Sequence, residues 1–166
     1  IIINFNCILK FIIIFNKIKG QEAGNIQVNV AFRHDELEKR TSELNGEEHR
    51  KDWPSASICI GYLTEEREYI QWLLNESSDI KELGNIILEY IDKYAFSFWE
   101  KYSTIQALID GYKNQDIELT ITGNSYVWSM AAAYWLKGEA ENARQILEGW
   151  SQGRPSEEDI NRAIEK

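Results

Sequence analysis

Cysteine is scarce. Cys7 and Cys59 are the only two, too few and too far apart for a thiolate metal set or for the disulfide framework of a small secreted domain. A reducing cytosol is the expected compartment. Basic charge is short as well: 18 Lys and Arg stand against 27 Asp and Glu, a formal net charge of -9. Binding to a phosphate backbone needs clustered cations that displace counterions, so nucleic acid is not an expected partner. No glycine loop for phosphate, no nucleophile elbow and no HExxH occurs, which leaves no catalytic set and no cofactor to expect. Long hydrophobic runs are missing too. The apolar start is interrupted by Lys10 and falls short of the roughly 20 residues that a bilayer requires. It also makes a poor signal peptide, with Lys17 and Lys19 behind the apolar part and no small-residue cleavage site. The first residue is Ile, and residues 1–19 use only Ile, Asn, Phe, Lys, Leu and Cys. That composition suggests a truncated start in an AT-rich gene, with residues 1–10 in question as an upstream region read through.

What remains is 43% hydrophobic and includes six Trp among 166 residues, enough to bury a core in one domain with or without an appendage. The main architectural signal is a change of period. Ile58, Ile60 and Tyr62 alternate with Ser57, Cys59 and Gly61, the two-residue repeat of a strand over Ala56 to Leu63. From Asp79 onward Ile80, Leu83, Ile87, Ile91 and Tyr94 recur at three and four, the stripe of a helix. Asp79 followed by Glu82 has the spacing of a capping box. Phe11 to Ile18 and Ile26 to Phe32 read as two further strands joined by a turn at Gly20 to Gly24. The charged segment from His34 to Pro54 reads as a surface helix or loop, ended at Asn45-Gly46 and again at Trp53-Pro54. The expected fold class is α+β: an antiparallel sheet of about three or more strands covered by the Asp79 to Tyr94 helix, then a helical hairpin. The division expected is a sheet-and-helix region at 1–113 and a helical region at 114–166, packed as one domain.

In the second half, Ser103 and Gln106 repeat the capping-box spacing, so a short helix is expected to start there and stop near Gly111. Phe96, Phe98, Trp99 and Tyr102 cluster just before it, and such rings fill a core corner more often than they line a pocket. A helix capped by Asn124 or Ser125 should run to Lys137, with Gly138 in a left-handed turn and a second helix to about Gly149. The small residues Ala131, Ala132 and Ala143 in AAAYWLKGEAENARQILEGW resemble one tetratricopeptide-type hairpin. Pro155 and Ser156 are expected to open a last helix ending at Lys166.

The order NIQVNVAF, charged connection, SASICIGYL, Trp-bearing segment, helix and FSFWEKYSTIQAL resembles the bacterial family called domain of unknown function 4304, over roughly Phe11 to Tyr112. The chain departs from that pattern in lacking a helix before the first strand and in having Trp72 alone where paired tryptophans are usual. The resemblance implies no activity. It does suggest the kind of small acidic bacterial protein that serves as an immunity or antitoxin partner.

The expected function is therefore a non-catalytic, cytoplasmic protein-binding module, with immunity to a basic toxin as its sharpest form. Exposed acids of the charged connection, Glu36, Glu38, Glu43, Glu47 and Glu48, are the candidate contacts. The alternative is a scaffold whose C-terminal hairpin takes a peptide or a second copy through Tyr134 and Trp135. An enzyme with an unrecognised site ranks third. His34 and His49 lie among carboxylates, but two imidazoles in a hydrophilic segment are expected to bind no metal.

Overall fold

β-Branched and aromatic residues crowd the start of the chain, and the first strand follows from them. In the computed structural model, which describes residues 7–19, 23–49, 51–120 and 126–149, β1 spans Cys7–Lys17 and β2 spans Ala23–His34. The amide of Ile18 donates to the Ala23 carbonyl at 2.9 Å and closes the hairpin. The third strand is shorter than its periodicity predicts. β3 covers only Ala56–Cys59, and Ile60–Leu63 coil into a single tight 3-10 turn. The inward pattern survives, since Ile58 and Ile60 are both buried. What the alternation could not reveal is a close approach at Gly61, where a β-carbon would lie 2.2 Å from the Glu68 carbonyl oxygen. Thr64 then fastens the turn, its hydroxyl donating to the Gly61 carbonyl at 2.8 Å.

β4, Trp72–Asn75, was expected only as a Trp-bearing segment. It pairs antiparallel with β2, Ala23 opposite Asn75 and Ile26 opposite Trp72. β1 and β3 also join β2, so a single strand organises an antiparallel sheet of four.

Asp79 caps α2, Ile80–Tyr90, its carboxylate accepting from the amides of Lys81 and Glu82 at 2.9 and 3.0 Å. The helix covers less than its stripe predicts. No residue of α2 is fully buried, Leu83 and Ile87 are half-buried, and Ile80 is 75% exposed. Its Tyr90 meets the Trp72 ring edge-on, 5.6 Å between centroids. The chain continues through a wider π-type turn at Ile91–Ala95 into α3, Phe96–Lys101. Ala95 and Phe98 are buried, Trp99 is half-buried and Phe96 is 49% exposed.

α4 spans Ile105–Lys113 and is capped by Thr104 rather than Ser103, the Thr104 hydroxyl accepting from the Ala107 amide at 3.2 Å. It runs through Gly111 instead of stopping there. A β-carbon at Gly111 would lie 2.7 Å from Leu119 and 2.9 Å from the Tyr102 ring, so this glycine makes room within a helix rather than ending one. After α5, Ile117–Thr120, come α6, Tyr126–Leu136, and α7, Ala140–Gly149, separated by Gly138 at φ 76. α6 is apolar nearly all round and packs against α4 and α7, with Ala131, Ala132 and Ala133 wholly enclosed. The cap expected at Asn124 or Ser125, turn residues 20–22 and the helix expected from Pro155 to Lys166 lie outside the described residues.

Chain contacts divide the described residues into two compact units that do not follow the order of the sequence. One comprises 7–8, 32–56 and 102–149, the other 9–31 and 57–101. No described helix is long and apolar enough to cross a membrane. Because Ile60 is wholly buried, Ile60→Ala should cost about 2 to 5 kcal/mol in urea unfolding. A loss below about 0.5 kcal/mol would place that side chain at the surface instead.

Candidate functional site

Where β2 ends, three ionisable residues follow one another: Arg33, His34 and Asp35. Strand alternation sends the first two to opposite faces, yet both are buried, at 1% and 3% exposure. A buried guanidinium must be paired and fully hydrogen-bonded. Arg33 meets that need with Nε donating to the Asp35 carboxylate at 2.5 Å, Nη1 donating to the Trp53 carbonyl, and Nη2 lying 3.4 Å from Nε2 of His49.

His34 does something different. Its Nε2 lies 3.0 Å from the Tyr102 carbonyl, an acceptor only, so that nitrogen carries the proton and donates. Burial lowers the pKa of His34, against a smaller upward pull from that same bond. The Phe32 ring stands edge-on to the imidazole and stacks on Tyr102. Tyr102 in turn donates its phenol proton to Asp116 at 2.7 Å, with Glu118 at 3.5 Å. Its burial, then the Asp116 bond and the two negative charges, push that phenol far above its ordinary range. It stays protonated and acts as a donor.

α1, Asp35–Asn45, starts at this junction. Three acids in its first turn, Asp35, Glu36 and Glu38, suit the positive end of the helix dipole. Gly46 ends it at φ 74, as the Asn45-Gly46 pair predicts. Of the surface helix or loop expected, the helix is present, but it is not wholly at the surface. Leu37, Arg40 and Leu44 share one buried face, and that face packs on α6. The Arg40 guanidinium lies 3.4 Å from the centroid of the Trp135 ring and pairs with Glu43 at 2.8 Å. An arginine suits such a place because its flat, weakly hydrated cation stacks on aromatics while still donating.

The candidate residues thus fall in unlike surroundings. Glu36, Glu47 and Glu48 are exposed and form no ion pair among the described residues. Glu43 is exposed but committed to Arg40. Glu38 is half-buried and helps to raise the pKa of Tyr112, which burial raises most and a bond to Ser129 opposes. Tyr134 is buried in the helical core, and Trp135 is half-buried beneath Arg40. His34 and His49 are not brought to one point as ligands: one donates to a carbonyl and the other faces a cation. Among the described residues no three His, Cys, Asp or Glu side chains gather as a metal set.

No family model, no curated protein and no solved structure matches this chain. The arrangement itself therefore carries the functional argument. Arg33 and Arg40 were not singled out from the sequence, although Arg40 sits three residues after Leu37 and four before Leu44, the spacing of a shared helix face. Arg33 had no such signal.

The His34 geometry fixes a pH dependence. In the unfolded chain this imidazole gains a proton near its ordinary value of 6.5, while the folded state resists protonation until a lower pH. Stability should thus fall as pH drops below about 6.5 and level off below the folded pKa, with a slope of at most about 1.4 kcal/mol per pH unit. His34→Asn, which retains a donor but does not titrate, should flatten that decline in chemical unfolding measured from pH 7 to pH 5. Equal declines in the two proteins would mean that His34 is not the group responsible.

Proposed function

We propose that this protein is a non-catalytic binding module that presents an acidic face, formed by α1 and the turn after it, to a basic protein partner. One observation carries the reading: Arg33, just before the charged segment, and Arg40 within it are buried, while most of the described acids of that segment remain in solvent. Asp35, Glu36, Glu43, Glu47 and Glu48 are exposed, as are Lys39 and Lys51. The exposed charges described from Asp35 to His49 are accordingly five acids and one base, Lys39. Such a field attracts a basic partner over a Debye length and raises the rate of encounter.

Immunity to a basic toxin is the sharpest form of this reading. The resemblance to domain of unknown function 4304 belongs to the same proposal and rests on the order of its sequence elements alone. A reducing cytosol as the place of action belongs to the proposal and rests on the scarcity of cysteine, Cys7 and Cys59 being the only two.

The test begins with capture of partners from the source cell, comparing wild type with the triple reversal Glu36→Lys, Glu47→Lys, Glu48→Lys. For a partner so identified, the wild-type association rate should fall as salt rises, and the reversals should slow it by roughly tenfold or more at low salt. Unfolding free energy should stay within about 0.5 kcal/mol of wild type, as for other surface changes. Salt-independent association, or reversals that leave the rate unchanged, would remove the acidic face from the mechanism.

A further inference from the structure

The apolar face of the sheet does not stop where α2 covers it. Gly24 lies opposite Leu74, and Ile26 opposite Trp72, so these four share the face on which Trp72 meets Tyr90 of α2. Phe15 of β1 belongs to it as well, since its ring lies so close over Gly24 that a β-carbon there would be 2.3 Å from Cζ. By alternation Phe11 and Ile13 follow Phe15 onto that face. They are 42% and 64% exposed, and Phe15 is 55% exposed.

Among the described residues β1 pairs only with β2. From Phe11 to Lys17 its other side is a sheet edge among the described residues, of the kind usually blunted by charge, proline or a bulge. Lysine occurs only toward the two ends of β1, at Lys10 and Lys17, and the five residues between Lys10 and Asn16 are all apolar.

The sequence of this edge names its occupant. Around Ile13 it reads nearly the same in both directions: Ile12 matches Ile14, Phe11 matches Phe15, and polar Lys10 matches polar Asn16. A two-fold interface requires a surface complementary to itself. An antiparallel pair of β1 strands centred on Ile13 sets Phe11 of each copy against Phe15 of the other and Ile13 against Ile13. It also places Lys10 opposite Asn16 and Lys17 opposite Leu9, so no lysine faces a lysine. An unrelated extended peptide would have no reason to match this symmetry.

We propose that β1 is the seam of a homodimer, formed by antiparallel addition of a second copy of this chain in the register centred on Ile13. The four-stranded sheet then continues through the two-fold axis into one of eight strands, and the edge is closed in both copies at once.

Sedimentation and paired variants at Ile13 test the proposal. Wild type should be a dimer at micromolar concentration, while Ile13→Lys and Ile13→Asp, each placing like charges on the axis, should weaken dimerisation by roughly tenfold or more. Mixing the two variants should restore a dimer containing one of each. Ile13→Cys should form an intermolecular disulfide readily under mild oxidation, and Leu73→Cys, 54% exposed on β4, should not. Should either charged variant fail to fold, the cysteine pair decides. A monomeric wild type, open-ended growth beyond a dimer, charged variants that still dimerise, a mixture that stays monomeric, or cross-linking at Leu73 as fast as at Ile13 would each overturn the proposal.

Discussion

Everything described here depends on β2 satisfying its backbone. This strand is deeply buried toward its C-terminal end, from Val30 through His34 without a break, and a buried peptide group left without a partner is costly. β1, β3 and β4 all pair with it. Even beyond β3 the pairing continues, with the Ser55 amide donating to the Phe32 carbonyl at 2.8 Å and the Ser55 hydroxyl accepting from the His34 amide at 2.9 Å. Burial of both faces explains why the alternation of the strand fades into a continuous run. It also brings polar side chains inside, because an arginine and a histidine on successive residues cannot both reach solvent from a strand enclosed on two sides.

Those two residues illustrate two ways of keeping a polar group in the interior. Arg33 remains charged and gathers acceptors around its planar fork, the Asp35 carboxylate and the Trp53 carbonyl. His34 stays neutral and spends a single proton on one carbonyl. Because its burial disfavours the charged imidazole, the second is weakened by acid. Tyr102 extends the polar chain outward, since its carbonyl accepts from His34 and its phenol donates to Asp116. Gly111 belongs to the same construction, because only a residue without a β-carbon leaves room for the Tyr102 ring beside α4.

How much of this was legible depends on whether the cause was local. Caps and turns that arise from neighbouring residues could be read: Asp79 at the start of α2, Gly46 at the end of α1, and Gly138 between α6 and α7. The strands were legible in kind but not in extent, because the turn at Ile60 comes with a close approach of Glu68 and Ile70 to Gly61, residues outside the strand. Gly111 was misread as a stop for the same reason, its requirement coming from Leu119 and Tyr102 and not from the helix that contains it. The acids of the candidate site were visible in the sequence. Which of them reach solvent, and which lie near a buried arginine or tyrosine, was decided by the packing of α1 on α6.

Surface charge is therefore not composition spread over an area. In the segment that holds α1, apolar spacing selects the inward face, and Arg40 falls between Leu37 and Leu44 on that face. Its long stem and flat cation can be accommodated over Trp135, whereas a carboxylate in that position would gain nothing from the negative face of the ring. The aromatic thus filters charge by sign, drawing a cation inward and leaving anions outside. Two consequences follow from the one contact: α1 is fixed to the helical group, and Arg40 is held where it pairs with the exposed Glu43. Exposed acids and a stable helix need not compete on α1, because the buried Arg40 is among the residues that anchor the helix.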